Sequence, residues 1–285
     1  MTPCLLPEGL LEGWHVRSAK PVTGGGIAWS YRLETDDGPV FAKTIRDAPP
    51  GLFVREAAGL RALRRAGALP VPEVLRVTEE GLLLEWIESE SAPPGDDAAL
   101  GRGLAALHRT TGERFGSLDG DPRSFVGSVP VDLHPADSWA QSYLFGRVLP
   151  LTRRCVETGR LDPSALPLLD RVLERADEVC GPPEPPALVH GDLWSGNSMV
   201  DHAGRHWLID PSASWSHREL DLAMMRLFGG FGPEVYTAYE EVAPLAPGWQ
   251  RRQTVHQLLP LLVHVILFGT YFADEVMGGL RSLAN

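Results

Sequence analysis

The sequence of 285 residues predicts an α+β fold with two lobes, a small β-rich lobe followed by a larger, mainly helical one. Residues 1–88 contain several short strand-like runs and one segment of helix-forming composition. Residues 89–285 have mainly helical patterns, interrupted by one polar hairpin near residue 190. Ser91 to Asp97 contains two prolines and a glycine, a composition typical of a connection between lobes. We therefore place the lobe boundary between residues 88 and 89.

A run of three glycines, Gly24, Gly25 and Gly26, lies between two strand-like segments of the first lobe. Because glycine has no Cβ, the backbone N–H groups of such a run can approach and surround a phosphate. A similar run is also common in turns that bind nothing. The glycines are therefore a candidate phosphate-binding loop, with a flexible turn as the alternative.

Lys43 ends the next strand-like run, which begins at Pro39. The chain has 26 basic residues, but only Lys20 and Lys43 are lysines, so a lysine at this position is unlike the rest of the basic surface. Its compact ammonium group on a flexible stem suits phosphate oxygens. The alternative is a lysine at a strand end that points into water.

Glu56 lies in a predicted helix, Leu52 to Arg65, on the same face as its large apolar side chains. A carboxylate on that face is directed towards the core, where an unpaired charge costs several kcal/mol. Lys43, on the strand just before the helix, is the candidate partner. Such a lysine–glutamate pair is the one that kinases use to place a phosphate-binding lysine.

Gly81 to Glu88 is a predicted buried strand that continues into the linker. If the glycines bind the phosphates of a nucleotide, the backbone groups of Glu85, Trp86 and Ile87 are where its adenine edge would dock.

The second lobe has helical patterns at Leu100 to His108 and at Leu168 to Val179, to which we assign no chemistry. Leu258 to Ala273 is the most apolar segment, but it is shorter than a membrane span and contains Pro260 and His264. It is therefore predicted to be a buried helix.

The polar hairpin contains His190, Asp192 and Asn197, and it is followed by an apolar run that ends at Asp210. Four residues separate Asp192 from Asn197, and Asp210 lies thirteen residues after Asn197. Phosphoryl transfer needs such a set, in which one acid aligns a hydroxyl while an amide and a second acid bind Mg²⁺. We predict that Asp192 is the catalytic base, that Asn197 and Asp210 are metal ligands, and that His190 holds backbone carbonyls. The alternative is a polar turn between two strands.

Several segments together resemble the fructosamine kinase (ketosamine 3-kinase) family, within the wider class of aminoglycoside and choline kinase-like phosphotransferases. The resemblance covers nearly the full length of the chain, and its most family-specific part begins at Ser216. The segments that carry it are Val40 to Lys43, Glu56 to Leu60, Leu84 to Ile87, His190 to Asn197, Asp210 to Ser212, Ser216 to Met224 and Leu227 to Phe231.

The resemblance implies a bilobal protein kinase-like fold and an ATP- and Mg²⁺-dependent reaction. Phosphate would pass to a sugar hydroxyl of a ketosamine, the rearranged adduct of a reducing sugar with an amine. The acceptor would be a small sugar-amine or a glycated lysine of a protein. Phosphorylation at the third carbon makes such an adduct labile, so the reaction would be a deglycation repair.

The resemblance also makes Trp194, His217 and Glu219 candidate substrate-binding residues. For His217 and Glu219 the alternative is a helix start, because Ser216 precedes Glu219 by three residues, as in a capping box.

Four positions depart from the family pattern where polar residues are usual, namely Ser124, Val131, Leu133 and Ile266. Polar contacts to the sugar would be lost there, so the sequence defines the reaction class better than the acceptor.

Composition restricts the class of partner. The net charge of −11 argues against binding to nucleic acid or to an anionic membrane. The three cysteines lack metal-ligand spacing, and the first residues have no basic start typical of a signal peptide. We therefore expect a cytoplasmic enzyme.

Three rival functions are compatible with parts of the sequence. The acceptor of a kinase could be an aminoglycoside or a choline-like amine. His190, Asp192 and Asp210 could bind metals for phosphoester hydrolysis, although Lys43 and Glu56 would then have no role. A binding module with a kinase shape but no catalysis is the third.

Overall fold

The first part of the molecule is built around one antiparallel sheet of five strands, in the order β1-β2-β3-β5-β4. The structure is a computed structural model that describes residues 6–22, 28–89 and 91–285. The elements of this part are α1 (Glu8–Leu11), β1 (Val16–Val22), β2 (Trp29–Thr35), β3 (Gly38–Thr44), α2 (Leu52–Ala66), β4 (Val74–Val77) and β5 (Gly81–Glu85). Gly24, Gly25 and Gly26 lie outside the described residues, so the predicted phosphate-binding loop stays a prediction.

The helix α2 agrees with its predicted bounds to within one residue, and sequence explains both ends. It begins after Gly51 and ends at Ala66, before Gly67, whose φ of 66° is in the left-handed region that favours glycine. Phe53, Leu60 and Leu63 are buried on one face, which fixes the rotation of the helix about its axis.

The second part is mainly helical, as predicted, with three short two-stranded sheets among the helices. A π-helix at Gln141–Val148 runs into α4. The elements are α3 (Asp97–Leu107), β6 (Arg123–Val126), β7 (Val129–Asp132), α4 (Leu149–Glu157), α5 (Ala165–Glu174), α6 (Ala176–Cys180), β8 (Ala187–Val189), β9 (Ser198–Val200), β10 (His206–Leu208), β11 (Ser214–Ser216), α7 (Glu219–Leu227), α8 (Pro233–Val242), α9 (Trp249–Phe268) and α10 (Ala273–Leu283).

Two helices differ from the prediction. The pattern from Leu168 to Val179 predicts one helix, but the chain bends at Arg175, where φ is −116°, and forms α5 and α6 instead. The apolar helix predicted from Leu258 to Ala273 runs from Trp249 to Phe268 instead. It begins nine residues earlier because its first turns are polar, and it ends at Gly269, whose φ of 87° lies in the left-handed region.

Pro260 lies inside α9, where it cannot supply the N–H that the carbonyl of His256 would normally accept. The hydroxyl of Tyr143, in the π-helix, donates to that carbonyl at 2.7 Å instead. The helix therefore continues through the proline, because a side chain replaces the missing backbone donor.

One hydrophobic core contains side chains from both sides of the predicted lobe boundary. Its members include Phe53, Leu60, Leu82, Leu104, Leu188 and Leu208. The boundary itself stays a prediction, but the two parts share buried contacts. Among the described residues, no helix combines the length and the apolar character that crossing a bilayer requires.

Candidate active site

The loop from His190 to Asn197 is held in place by backbone geometry that the sequence encodes. Gly191 has a φ of 82°, and a Cβ at this position would lie 2.1 Å from the carbonyl oxygen of Ser212. Ser212 N–H donates to the His190 carbonyl at 2.9 Å, and Ile209 N–H donates to the Asn197 carbonyl at 3.1 Å. Only glycine fits position 191, so the loop and the segment after Asp210 can approach closely.

His190 is fully buried, and within the part of the chain that the structure describes its ring makes hydrogen bonds to backbone groups, including the predicted one to a carbonyl. Its Nε2 donates to the Ile209 carbonyl at 2.9 Å, and its Nδ1 accepts from Asp192 N–H at 3.3 Å. Burial lowers the pKa of the ring, so the imidazole is neutral and can donate at one nitrogen while accepting at the other.

Asp221 in α7 holds the same loop by hydrogen bonds, a role that the sequence analysis did not predict. Its buried carboxylate accepts from the backbone N–H groups of His190 and Gly191, both at 2.8 Å, and lies 3.1 Å from His108 Nε2. Burial opposes ionisation, but these hydrogen bonds and His108 lower the pKa of Asp221. The available signal was an acid between two leucines, Leu220 and Leu222, because a carboxylate that is buried among apolar residues must have a partner.

Lys43 forms the predicted pair with Glu56 and also contacts Asp210. Its Nζ lies 3.1 Å from both carboxylate oxygens of Glu56 and 3.1 Å from Asp210 Oδ1. Burial opposes the charge of Lys43, but Asp210 and Glu56 raise its pKa above the ordinary value. Burial raises the pKa of Glu56. The cation is therefore fixed between two carboxylates.

Asp192 and Asn197 contact each other directly. Asn197 Nδ2 donates to the backbone carbonyl of Asp192 at 2.8 Å and to its Oδ2 at 3.1 Å. This orientation leaves the Oδ1 atom of Asn197 available as a hard ligand. Burial, followed by repulsion from Asp210, raises the pKa of Asp192 to about 8.

These groups line one cavity, which is the arrangement the sequence predicts. Its polar lining includes Lys43, Glu56, Asp192, Trp194, Asn197 and Asp210. Asp210 has a φ of 54°, a strained conformation for a residue other than glycine that is typical of functional sites. The oxygens of Asn197 and Asp210 beside Asp192 are a donor set that suits Mg²⁺.

The predicted adenine-docking residues do not line this cavity. The Glu85 carboxylate accepts from Glu73 N–H at 3.0 Å, and Trp86 Nε1 donates to Glu88 at 2.8 Å. Ile87 is buried. Their predicted backbone role stays a prediction.

His217 and Glu219 are also outside the cavity lining, in a buried cluster with Arg252 and His256. The guanidinium of Arg252 donates to both carboxylate oxygens of Glu219, at 2.5 and 2.9 Å. Glu219 does begin α7, but Ser216 belongs to β11 and does not cap the helix. The predicted capping box is therefore wrong, and a contact of His217 or Glu219 with substrate stays a prediction.

The positions that depart from the family pattern divide into two groups. Ser124 and Leu133 line the cavity, whereas Val131 and Ile266 do not. Ser212 Oγ donates to the Phe125 carbonyl at 2.6 Å, which ties this wall of the cavity to the segment after Asp210.

The five-stranded antiparallel sheet and α2 supply Lys43 and Glu56, and the mainly helical part supplies Asp192, Asn197 and Asp210. This combination defines the class of kinase-fold phosphotransferases. Within that class, the chain belongs to the fructosamine kinase family, whose sequence profile matches residues 5–285.

Individual relatives agree with this assignment. The chain is 39% identical over 252 residues to a probable ketoamine kinase of Thermus thermophilus, covering 88% of each protein. It is 30% identical over 283 residues to a chloroplastic protein-ribulosamine 3-kinase of Arabidopsis thaliana, covering 96% of this chain and 84% of the relative. A crystal structure of a candidate fructosamine-3-kinase from Thermobifida fusca superposes with a TM-score of 0.88 at 38% identity, over 97% of both chains.

Proposed function

We propose that this protein transfers the γ-phosphoryl group of ATP to a sugar hydroxyl of a ketosamine. The observation that carries the proposal is the cavity that holds Asp192, Asn197, Asp210 and the Lys43–Glu56 pair together, in a chain of the fructosamine kinase family.

Lys43 binds phosphate oxygens of the nucleotide, and Glu56 keeps its ammonium group in position. Asn197 Oδ1 and the Asp210 carboxylate are the residues that would hold Mg²⁺, which neutralises phosphate charge when bound. The glycine run at Gly24 to Gly26 lies outside the described residues, and its predicted role as a phosphate-binding loop stays a prediction.

Asp192 aligns the acceptor hydroxyl and, in its ionised form, takes the hydroxyl proton. Burial and Asp210 oppose that form, and a cation held by Asn197 and Asp210 would favour it. The hydroxyl oxygen forms a bond to the γ-phosphorus as the bond to the ADP oxygen breaks, and the hydroxyl proton passes to the Asp192 carboxylate. Little other covalent chemistry falls to the protein, so position and charge account for most of the rate enhancement.

The acceptor is a ketosamine, either as a free sugar-amine or on a lysine of a protein. The names of the Thermus and Arabidopsis relatives support this class, and the second of them supports a protein-bound acceptor. Loss of the modified sugar after phosphorylation would make the reaction a repair of glycated amines.

The test is a screen of the purified protein with Mg-ATP and ketosamines made from erythrose, ribose and glucose. ADP release and the mass of the phosphorylated product are measured, with an aminoglycoside and choline as rival acceptors. We expect turnover of at least one ketosamine and little turnover of the rivals. Turnover of the rivals alone would contradict the acceptor class.

The variant Asp192→Asn tests the role of the base, because it keeps the size of the side chain but removes the proton acceptor. We expect turnover to fall by about 10²- to 10⁴-fold while the Kd for ATP stays nearly constant, because the lost group acts on the acceptor. Full activity of this variant would remove Asp192 from its role.

A further inference from the structure

A cluster of aromatic side chains borders the cavity next to Trp194, and the reaction as described gives it no role. We define the aromatic wall as Phe228, His264, Phe268, Tyr271 and Phe272. His264 and Phe268 line the cavity together with Asp192. The other members continue the surface outward through ring contacts, with centroids 4.7 Å apart for Phe228 and His264 and 5.0 Å apart for His264 and Phe272.

The aromatic wall is unusually exposed for residues of this size. Phe268 is 56% exposed, Tyr271 is 79% exposed and Phe228 is 37% exposed. Its members come from the end of α7, the last turns of α9 and the turn before α10, so three segments converge on one surface. A contiguous exposed apolar patch at the mouth of a cavity is typical of a surface that a ligand covers.

The electrostatics of the aromatic wall favour a cation. Ring faces attract ammonium groups, and the neighbouring first turn of α10 carries the acidic residues Asp274 and Glu275. Arg160 reaches the same end of α9, but its guanidinium donates to the carbonyls of Val265 and Ile266. The cations of the cavity lining, Lys43, Arg55 and Arg123, are paired with Glu56, Asp119 and Asp121. A carboxylate on a ligand at the aromatic wall would therefore meet acids and ring faces, because each of these cations already has a partner.

His264 supplies a ring nitrogen that can accept a hydrogen bond in the aromatic wall. Its Nδ1 lies 2.7 Å from the carbonyl oxygen of Pro260 and donates to it, so Nε2 carries the lone pair. Nε2 makes no hydrogen bond within residues 6–22, 28–89 and 91–285. Burial lowers the pKa of this imidazole, which keeps it neutral and able to accept from an ammonium N–H.

We propose that the aromatic wall binds the protonated amine and the first carbons of its substituent, so that the enzyme selects ketosamines of alkyl or aryl amines over those of α-amino acids. This inference rests on the proposed function and specifies which class of ketosamine is the preferred acceptor. In a ketosamine the amine is only a few bonds from the sugar hydroxyls, so a hydroxyl at Asp192 brings the nitrogen close to the mouth of the cavity. The ε-amine of a lysine side chain, followed by four methylene groups, belongs to the selected class.

The test compares ribose-derived ketosamines of benzylamine, of the side chain of Nα-acetyl-lysine amide and of glycine, by kcat/KM with Mg-ATP. We expect the first two acceptors to exceed the third by about tenfold. Phe268→Ala and Tyr271→Ala should reduce this ratio to about threefold or less, chiefly through KM of the alkyl and aryl acceptors. Phe268→Lys should improve the glycine-derived acceptor, because it adds a partner for the carboxylate.

The matched control is Phe145→Ala, which truncates an aromatic residue that is 45% exposed and lies outside the cavity lining. It should leave the ratio unchanged. Equal kcat/KM for the three acceptors in the unmodified enzyme, or an equal loss for all of them in Phe268→Ala, would overturn the selection. Absence of turnover with every ketosamine would overturn the proposed function and this inference together.

Discussion

Lys43 is held by two carboxylates, and the consequences of removing it differ for stability and for activity. The side chains of Lys43 and Glu56 are 12% and 10% exposed, so water solvates neither charge well, and each depends on the other for compensation. Asp210, at 3.1 Å from Lys43, is 36% exposed and can be solvated by water. Stability therefore depends mainly on the Glu56 contact, whereas phosphate binding depends on the ammonium group itself.

Lys43→Met should lower the free energy of unfolding by about 3–5 kcal/mol, because Glu56 is left buried without a cation. Adding Glu56→Gln should restore much of this stability, since no unpaired charge remains, but phosphoryl transfer should stay lost in both variants. Urea denaturation and ADP release measure the two effects. Equal stability of the single and double variants would show that the Glu56 charge is compensated elsewhere.

At the scale of elements, α7 supports the catalytic loop through one side chain. Asp221 joins α7 to the loop after β8 and, through His108, to the end of α3. The His108 Nδ1 atom in turn lies 2.8 Å from the hydroxyl of Tyr239 in α8. Three helices are therefore coupled to the backbone that places Asp192.

Asp221→Asn should lower the free energy of unfolding by about 2–3 kcal/mol, because an amide cannot accept from all the donors that face it. It should also reduce kcat, since the loop that carries Asp192 loses its support. Asp177→Asn, on the exposed side of α6, is the control and should change neither. Unchanged kcat in Asp221→Asn would limit this residue to a structural role.

Glu219, the first residue of α7, makes the free energy of unfolding depend on pH. Burial opposes its charge, but His256 and Arg252 lower its pKa from 4.5 to about 2. A lowered folded-state pKa contributes stability above about pH 4.5, and this contribution is lost as the pH falls towards 2.

Glu219→Gln should therefore reduce the free energy of unfolding at pH 7 by roughly 3 kcal/mol, and the difference from the unmodified protein should shrink below pH 4.5. Urea denaturation between pH 3 and pH 7 measures it. A difference that is independent of pH across this range would mean that packing, and not the charge of Glu219, is responsible.

At the scale of the whole molecule, the candidate site draws on both parts of the chain, so binding of nucleotide should stabilise the complete fold. Mg-ATP at 100 times its Kd should raise the free energy of unfolding by about 2.7 kcal/mol. We expect differential scanning fluorimetry to give a higher Tm with Mg-ATP, a similar rise in Asp192→Asn and little rise in the Lys43→Met, Glu56→Gln double variant. An absence of any rise in the unmodified protein would favour a binding module that does not use ATP.

Local sequence patterns predict the contacts of the candidate site well where the two residues in contact are close in sequence. The rarity of lysine and the apolar face of α2 were enough to pair Lys43 with Glu56, and spacing was enough to group Asp192 with Asn197. Asp221 was missed because its partners are backbone N–H groups that only the folded chain brings to it. The aromatic wall could not be predicted for the same reason, since it joins the ends of two helices and a turn.

Gly59 in α2 has a further consequence for how this molecule works. A Cβ there would lie 3.1 Å from the Cβ of Ala213 and 3.3 Å from Pro211, so the helix rests directly on the chain that follows Asp210. Phe53 and Leu60 on the same helix belong to the core that both parts share. Swinging α2 outward would expose Phe53 and Leu60 to water, so the packing that holds this helix also keeps Glu56 in contact with Lys43.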